Sequence, residues 1–424
     1  MRRIWLQVVH TSLAKGYALV TAVLVLAVTA RYLGPAGRGV VGAANAWAAM
    51  VATFGGLSLG QVAIFHAAGR DPAEWLPSTL HTVGRYLLAT TLVVWIAGAI
   101  AYRVTDGHLF NHLSPSVLAL AAVSVPLLMW TDYATSLLLA LDSLKIANIA
   151  QAVASTSNAL IVVALLTVTS LGVRAPLISV AIGGALSAFV TLRAIRRKMP
   201  VDRTLRRFTG RMLVDGAKLH ANAIGTFFFT QANLLIVNHY CSASDTGFFG
   251  LATQLITVAQ IVPNAIGLVA YTVVGRDGPD QAWKQQRRLL AQAAAVSAAL
   301  IVIGYVAAPL GVRLVAGKAF LPAVPLFRVM LLALVGMTFS SIMASQWIGR
   351  GLFGMAAGIS LATGGANVVA TFVVVPQSGA MGAAWVMVGV YAISILGNGL
   401  MALWVERRVQ RVLVPVPLTA DASL

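Results

Sequence analysis

Long apolar runs, separated by short polar breaks, dominate the sequence from its beginning to about position 405. A helix needs about 20 mostly apolar residues to cross the hydrocarbon core of a bilayer. Runs of suitable length lie at roughly 10–30, 39–68, 85–102, 115–140, 146–171, 175–195, 218–240, 247–275, 289–308, 325–347, 352–376 and 380–405. The pattern predicts an all-α polytopic membrane protein with about twelve transmembrane helices and no soluble domain between them.

Composition supports a membrane protein and argues against several other classes. Hydrophobic residues make up 59% of the chain and charged residues 10%, whereas soluble domains contain about 25% charged residues. The single cysteine, Cys241, cannot form an internal disulfide or a Cys-based zinc site. The sequence has no Walker lysine, no HExxH motif and no paired His/Cys cluster. We therefore expect no cofactor, no metal site and no enzyme activity.

The formal charge of +18 is distributed in a way that favours a membrane topology over nucleic-acid binding. With twelve spans, the loops on the side of the N-terminus carry 23 Lys and Arg residues. Cytoplasmic loops of membrane proteins carry such an excess, so both termini are predicted to be cytoplasmic. The opposite side carries only 6: Arg31, Arg38, Arg103, Arg174, Arg313 and Lys318.

A strongly basic stretch, 193–218, lies near the middle of the 424 residues. It predicts an N-terminal six-helix lobe over 1–197, a basic cytoplasmic linker over 198–217, a C-terminal six-helix lobe over 218–406 and a cytoplasmic tail over 407–424. Within the linker, Leu205, Phe208 and Met212 share one helical face, which is typical of an interfacial helix. Such a helix would either attract anionic head groups or simply anchor the two halves.

The two halves of the sequence resemble each other. Tyr32 precedes the GVVG run at 39–42 by seven residues, and Tyr240 precedes the GFFG run at 247–250 by seven residues. Asn158 and Asn367 occupy matching positions at a similar offset. Six helices per repeat give both halves the same orientation, which predicts a pseudo-two-fold axis along the membrane normal.

Polar residues form stripes on two adjacent predicted helices of the second half. They are Asn222, Thr226, Thr230 and Asn233 on one helix, and Thr253, Thr257, Gln260 and Asn264 on the next. Their spacing of three or four residues places each set on one helical face. The stripes predict either hydrogen bonding between helices, worth about 0.6 kcal/mol per contact, or the wall of a wet cavity. Of these residues, Asn222, Thr226, Thr230, Asn233, Thr257 and Gln260 are our candidates for substrate binding.

Few charged residues lie within the predicted spans, and each is a functional candidate because charge is costly in hydrocarbon. Lys15 in helix 1 and Arg328 in helix 10 are candidates for substrate binding, and Asp132 in helix 4 for ion coupling. Lys15 and Arg328 lie near helix ends, where their side chains could instead snorkel to the interface. Asp132 could instead pair with Lys15.

The residues RYLGPAGRG at 31–39 resemble the run that opens the second helix of bacterial lipid-linked oligosaccharide flippases. These are the O-antigen and polysaccharide transporters of the multidrug/oligosaccharidyl-lipid/polysaccharide exporter superfamily. A second resemblance lies at 317–328, where Phe320 precedes the start of helix 10. The family often carries an acid near this phenylalanine, whereas this chain has Lys318 and Ala319.

This resemblance implies two lobes around a cationic cavity, to which Lys15 would contribute. It also implies movement of an undecaprenyl-diphosphate-linked oligosaccharide, such as a lipopolysaccharide O-antigen unit, to the outer leaflet of the bacterial cytoplasmic (inner) membrane. The expected partners are this glycan, membrane lipids and a glycan polymerase. Two alternatives stay open: a cation-coupled drug antiporter, which would use acids such as Asp132, and a peptidoglycan-precursor flippase, which usually has two further helices.

Overall fold

The computed structural model describes the backbone of residues 2–67, 70–111, 113–199 and 209–413, and side chains from 16 onward except at 209, 222, 262, 353 and beyond 406. All regular secondary structure in these ranges is helical, which confirms the predicted all-α class. The helices of the first half are α1 Arg2–Gly55, α2 Leu59–Ala67, α3 Pro72–Val104, α4 Pro115–Ala140, α5 Leu144–Val168 and α6 Arg174–Arg197. The second half contains α7 Thr209–Thr230, α8 Ala232–Tyr240, α9 Ala243–Ala259, α10 Ile261–Asp277, α11 Pro279–Val315, α12 Ala323–Leu332, α13 Leu334–Gly349 and α14 Phe353–Leu413.

Two of these helices contain a turn at a glycine. In α1 the turn is at Gly34, with φ 65°, and in α14 it is at Gly379, with φ 58°. Glycine adopts this left-handed region without the steric cost of a Cβ atom. Pro35 directly follows Gly34 and disfavours the helical conformation of the residue before it. Each of the two helices therefore contributes two successive spans.

The described helices account for the predicted runs in order. Seven of them are long and apolar enough to cross a membrane, and nine spans result if each bent pair, α9 with α10 and α12 with α13, is one span. Dividing α1 and α14 at their glycines and pairing α7 with α8 completes the predicted series of about twelve. The run predicted at 115–140 coincides with α4. In contrast, α3 and α11 begin well before their apolar runs, because the more polar residues that precede these runs are helical as well.

The predicted internal repeat is present in the positions of the helices. Corresponding elements of the two halves begin 207 to 210 residues apart: Pro72 and Pro279, His108 and Lys318, Pro115 and Ala323, and Leu144 and Phe353. The pair at His108 and Lys318 consists of short 3₁₀ helices, and each follows a glycine with positive φ, Gly107 or Gly317. The two lobes are therefore built on the same plan and are related by pseudo-two-fold symmetry.

Each lobe has its own core, and each core includes part of the other half's first helix. The first core contains Trp75 and Tyr133 together with Met212 of α7. The second contains Phe249 and Phe320 together with Leu26 and Ala30 of α1. The first helix of each half therefore packs into the core of the opposite lobe and connects the two lobes.

The central stretch is partly helical. Helix α7 begins at Thr209, so the second half of the predicted linker belongs to this helix. Met212 is buried in the core of the first lobe rather than placed on an interfacial face. The predicted face at Leu205 and Phe208 lies outside the described residues.

We call one end of the bundle the basic face and the other the far face. The basic face carries the helix ends at Arg70, Lys145, Arg197, Arg276 and Arg350, and the far face carries the turns at Gly34, Phe110, Gly172, Cys241 and Phe320. Side chains join neighbouring ends on the basic face: Lys198 Nζ donates to Ser143 Oγ at 2.6 Å, and Arg350 Nη1 pairs with Asp280 Oδ1 at 2.8 Å.

Candidate functional site: the interface between the lobes

The lobes meet on the far face at two glycines that the repeat relates. Gly39 lies in the second segment of α1 and Gly247 lies in α9. A Cβ atom added to Gly39 would lie 1.8 Å from the carbonyl oxygen of Ala243, and one added to Gly247 would lie 2.1 Å from that of Pro35. Only glycine at both positions permits this approach of the two backbones. We call this contact the far-face seal.

Polar side chains flank the far-face seal. Arg38 Nη2 donates to Gln254 Oε1 at 2.9 Å. Asn111 Nδ2 donates to the carbonyl of His239 at 3.1 Å, and Asn238 Nδ2 donates to the carbonyl of Asn111 at 3.1 Å. These hydrogen bonds join residues more than 120 positions apart and connect the first half to the second. In this conformation the far face is therefore closed by backbone packing and by reciprocal hydrogen bonds.

A second contact between the halves lies toward the basic face, at the break between α1 and α2. His220 of α7 bridges the two sides of this break: its Nε2 lies 3.0 Å from the carbonyl of Phe54, and its Nδ1 lies 3.2 Å from Ser58 Oγ. Since the carbonyl can only accept, Nε2 donates, and in the neutral imidazole Nδ1 then accepts from the serine hydroxyl. The buried imidazole thus satisfies a carbonyl left free by the broken helix.

The same break is supported from the first lobe. Leu57 and Ser58 have positive φ values of 47° and 48°, a conformation that costs energy for residues other than glycine. Tyr133 Oη donates to the carbonyl of Gly56 at 2.7 Å. A Cβ atom on Gly216 of α7 would lie 2.5 Å from the carbonyl oxygen of Leu57. Together with His220 these contacts form what we call the basic-face latch.

The predicted threonines lie on exposed surfaces of their helices, and two of them bond to their own helix. Thr230 Oγ1 donates to the carbonyl of Thr226 at 2.8 Å, and Thr257 Oγ1 donates to that of Thr253 at 3.0 Å. Such bonds to the preceding turn satisfy a hydroxyl donor without a partner from another helix. Thr226, Thr230 and Thr257 are all exposed, and the hydroxyl oxygens of Thr230 and Thr257 still have acceptor capacity for a ligand or for water.

Asn233, in contrast, belongs to a buried hydrogen-bonded cluster within the second lobe. Asn367 Nδ2 donates to Asn233 Oδ1 at 2.6 Å, and Thr371 Oγ1 donates to the same oxygen at 3.1 Å. Asn367 Nδ2 also lies 2.8 Å from the carbonyl of Phe228, one of the carbonyls left free where α7 ends. Asn233 is 5% exposed. Of the two interpretations in the sequence analysis, these contacts favour helix packing for this residue.

Two further candidates make contacts within the second lobe. Arg328 Nε donates to the carbonyl of Tyr305 at 3.0 Å, and its guanidinium carbon lies 4.3 Å from the centre of the same tyrosine ring. The side chain therefore connects α12 to α11 by a hydrogen bond and a cation–π contact. Gln260, at the end of α9, is in contact with Met337 Sδ through its amide nitrogen.

The remaining candidates are placed only in part. Lys15 and Asn222 lie in α1 and α7, but their side chains lie outside the described residues. Asp132 lies in α4 with an exposed side chain. Two residues beyond Lys15, Tyr17 Oη is 2.7 Å from Thr156 Oγ1, which joins α1 to α5. The described part of the chain contains no group of three His, Cys, Asp or Glu residues that could hold a metal ion.

Comparison with known families connects this geometry to a class of membrane proteins. The model of the polysaccharide biosynthesis protein family matches residues 4–276, which is more than half of the chain and extends from the first lobe through α10. The chain belongs to this family. No curated protein matches the sequence.

Solved structures of similar fold are transporters and flippases. The lipid II flippase MurJ in an inward closed conformation matches with a TM-score of 0.78 and 13% identity, over 93% of this chain and 87% of that chain. An inward-facing multidrug resistance MATE family transporter of the MOP superfamily matches with a TM-score of 0.69 and 14% identity, over 93% and 94%. The Vibrio cholerae MATE transporter VcmN matches with a TM-score of 0.63 and 12% identity, over 95% and 97%. At these identities the likeness concerns the fold: two lobes of transmembrane helices, as in MOP-superfamily transporters.

Sequence reasoning found some of these residues and missed others. The glycines of the far-face seal were found through the repeat, although the sequence did not indicate that Gly39 and Gly247 contact each other. The sequence indicates of His220 only that it lies near the end of a predicted span. Its pairing with Ser58 joins positions 162 residues apart, and no local pattern indicates such a partner.

Proposed function

We propose that this protein is a flippase that moves an undecaprenyl-diphosphate-linked oligosaccharide from the inner to the outer leaflet of the bacterial cytoplasmic membrane by alternating access. The observation that carries the proposal is the far-face seal, where repeat-related glycines bring the lobes into backbone contact at one end of the bundle. A contact formed only by close approach is lost when the lobes tilt apart. Membership of the polysaccharide biosynthesis family supports a glycan as the cargo.

The physical problem that such a protein solves is the transfer of a polar head group through hydrocarbon. Charged and hydroxyl-rich groups are expensive to desolvate, whereas the isoprenoid tail is soluble in lipid. A polar surface between the lobes lowers this barrier for the head group. We assign this role to the exposed hydroxyls of Thr226, Thr230 and Thr257 and to Asn222 and Gln260, with Lys15 as the cationic group for the diphosphate. Arg328, which is joined to Tyr305 within the second lobe, is not assigned to this surface.

The membrane potential gives a source of energy for this direction of transport. With both termini in the cytoplasm, as the charge bias predicts, the basic face is the inner face. Moving two negative charges outward, in the direction that an inside-negative potential favours, releases about 4.6 kcal/mol per 100 mV, at about 2.3 kcal/mol per charge. This drive requires no nucleotide hydrolysis. In this proposal Asp132 on α4 is the group that would couple an ion to the movement.

The decisive experiment combines lipid identification with a transport assay. The full-length protein is purified in mild detergent, and the lipid that accompanies it is identified by mass spectrometry. It is then reconstituted into vesicles that contain a lipid-linked oligosaccharide, and the appearance of the glycan on the opposite leaflet is followed. We expect a polyprenyl-diphosphate saccharide in the first measurement and glycan movement in the second. Movement of lipid II alone would overturn the proposed cargo in favour of peptidoglycan precursor.

A matched variant tests the assigned cationic group. Lys15→Ala should reduce glycan movement strongly while membrane insertion and thermal stability stay normal. Unchanged movement would remove Lys15 from the site without affecting the assignment of cargo. The drug-antiporter alternative makes a different prediction, namely export of cationic compounds that is lost in Asp132→Asn.

A further inference from the structure

A wide apolar groove lies between α3 and α4, in the half of the first lobe nearer the far face. Its volume is about 740 Å³, and its walls include Val94, Trp95, Gly98, Tyr102, Phe110 and Leu118. This volume falls within the range of about 300–1,000 Å³ typical of small-molecule sites. Trp95 and the neighbouring residues Ala97 and Ala99 are exposed, so the groove is open along its length to the surrounding bilayer.

The internal repeat shows that this space is specific to the first lobe. Trp95 and Leu118 line the groove, and the residues 210 positions later are Tyr305 and Arg328. In the second lobe Arg328 reaches across to Tyr305, to which it is joined by a hydrogen bond of 3.0 Å. The arginine that joins the two helices in the second lobe is thus replaced by a shorter leucine in the first, where Trp95 Nε1 instead donates to the carbonyl of Ala122 on α4 at 3.0 Å.

A second pair of repeat-related positions also shows that the two helices pack more closely in the second lobe than in the first. In the second lobe a Cβ atom on Gly304 would lie 3.0 Å from Leu331 Cδ1, so α11 and α12 are closely packed there. The residues 210 positions earlier, Val94 and Ala121, both line the groove. A Cβ atom on Gly98 would meet nothing within 4 Å. The separation of α3 from α4 is therefore not a general property of the repeated fold.

The length and end groups of the groove indicate its occupant. Along α3 the groove extends from Val94 to Arg103, a distance of about 14 Å at about 1.5 Å per residue. This is about half of a hydrocarbon core about 30 Å thick, so the groove spans a single leaflet. Arg103 lies at its far-face end with an exposed side chain that has no ion-pair partner among the described residues. An arginine at this level is suited to bind a phosphate.

We infer that this groove is a binding site for one phospholipid of the leaflet at the far face, with an acyl chain along α3 and α4 and the phosphate at Arg103. A further lining residue, Trp47, has a buried indole N–H without an acceptor among the described residues. The ester carbonyls of a phospholipid are acceptors of the kind that these apolar walls lack. The bound lipid fills in the first lobe the space that Arg328 fills in the second.

Native mass spectrometry of the full-length protein with palmitoyl-oleoyl phosphatidylglycerol as the probe tests this inference. We expect one phospholipid to stay bound to the wild type. Gly98→Phe, which fills the groove, should reduce the bound fraction at least fivefold. Gly84→Phe is the matched control, because Gly84 lies on the same helix, has equally open space and does not line the groove. Arg103→Gln should weaken binding, whereas Arg313→Gln, its repeat counterpart, should not.

Two outcomes would overturn the inference. The first is equal lipid retention by Gly98→Phe and Gly84→Phe. The second is displacement of the phospholipid by an equimolar amount of undecaprenyl phosphate, which would assign the groove to the isoprenoid chain. If Gly98→Phe does not fold, phosphatidylglycerol with brominated acyl chains gives an independent measurement in the wild type. Bromine in the groove should quench tryptophan fluorescence, and this component should be lost in a variant that carries Trp47→Phe and Trp95→Phe.

Discussion

Replacing Gly39 with alanine is the most direct test of the far-face seal. The added Cβ atom would lie 1.8 Å from the carbonyl oxygen of Ala243, and Cβ atoms essentially never approach another atom within 3.0 Å. The two backbones must therefore move apart by at least about 1.2 Å. Since both groups belong to helix backbones, no side chain can rotate to relieve the overlap.

The energy of this overlap sets the size of the expected effect. Overpacking of a close-packed interior costs about 1–3 kcal/mol. If this cost falls only on the closed conformation, the equilibrium shifts toward conformations open at the far face by about 5- to 140-fold. Replacement of glycine by alanine also stabilises a helix interior by about 1 kcal/mol, but this gain is common to both conformations.

Accessibility labelling measures the shift. A reporter cysteine is introduced at Thr257, on the exposed face of α9, in a chain that carries Cys241→Ser. Burial raises the pKa of the Cys241 thiol, which makes this thiol less reactive. Replacing Cys241 ensures that all of the labelling comes from the reporter cysteine. The rate at which a membrane-impermeant maleimide labels the reporter from the far-face side should rise with Gly39→Ala.

The neighbouring glycine on the same helix is the control for this measurement. A Cβ atom on Gly42 would lie 3.8 Å from Leu234 Cδ2, which is an ordinary van der Waals contact. Gly42→Ala should therefore leave the labelling rate unchanged, whereas Gly247→Ala, with an overlap at 2.1 Å, should raise it. Equal rates for Gly39→Ala and Gly42→Ala would refute the assignment of the seal to this glycine pair.

Three other substitutions test the contacts within and between the lobes. His220→Ala removes two hydrogen bonds of the basic-face latch, worth about 1–3 kcal/mol together, and should increase labelling from the basic face in inverted vesicles; an unchanged rate would argue against a latch. Asn233→Ala should lower the free energy of unfolding by about 1–2 kcal/mol, with Thr230→Ala as the nearly neutral control in thermal unfolding. Loss of transport without loss of stability would instead place Asn233 in the substrate site. Arg328→Lys should lower stability by about 1 kcal/mol, since lysine lacks the planar group that contacts Tyr305; an unchanged melting temperature would contradict this.

The sequence predicts close helix packing at two glycine pairs, and the structure shows it at one of them. The pairs Gly56 with Gly60 and Gly354 with Gly358 both have the GxxxG spacing that suits close helix contact. At Gly60 a Cβ atom would lie 2.6 Å from Ser136 Oγ, so the prediction is confirmed there. A Cβ atom at Gly354 or Gly358 meets nothing within 4 Å. The spacing creates a surface that permits close approach, but it does not specify which helix approaches.

The candidate site was predicted less completely than the fold, because the sequence does not specify what each helical face contacts. The stripe that contains Thr230 and Asn233 was recognised from its spacing, yet its members have different surroundings. Thr230 is exposed, whereas Asn233 bonds to Asn367 and Thr371, residues more than 130 positions away. Periodicity places residues on one face of a helix, but it contains no information on whether that face meets water, lipid or another helix.

The sequence by itself determined the helical class, the order and approximate number of the spans, and the duplication of the two halves. These features depend on the length of apolar runs and on turns such as that at Gly34, which are local properties. Only the tertiary structure decided that Gly39 meets Gly247, that His220 holds the break between α1 and α2, and that an apolar groove opens between α3 and α4. In a bilayer the lipid is as apolar as the helix surfaces, so helices associate through small residues and specific hydrogen bonds. Those contacts join distant parts of the chain and follow from the packing of the whole bundle.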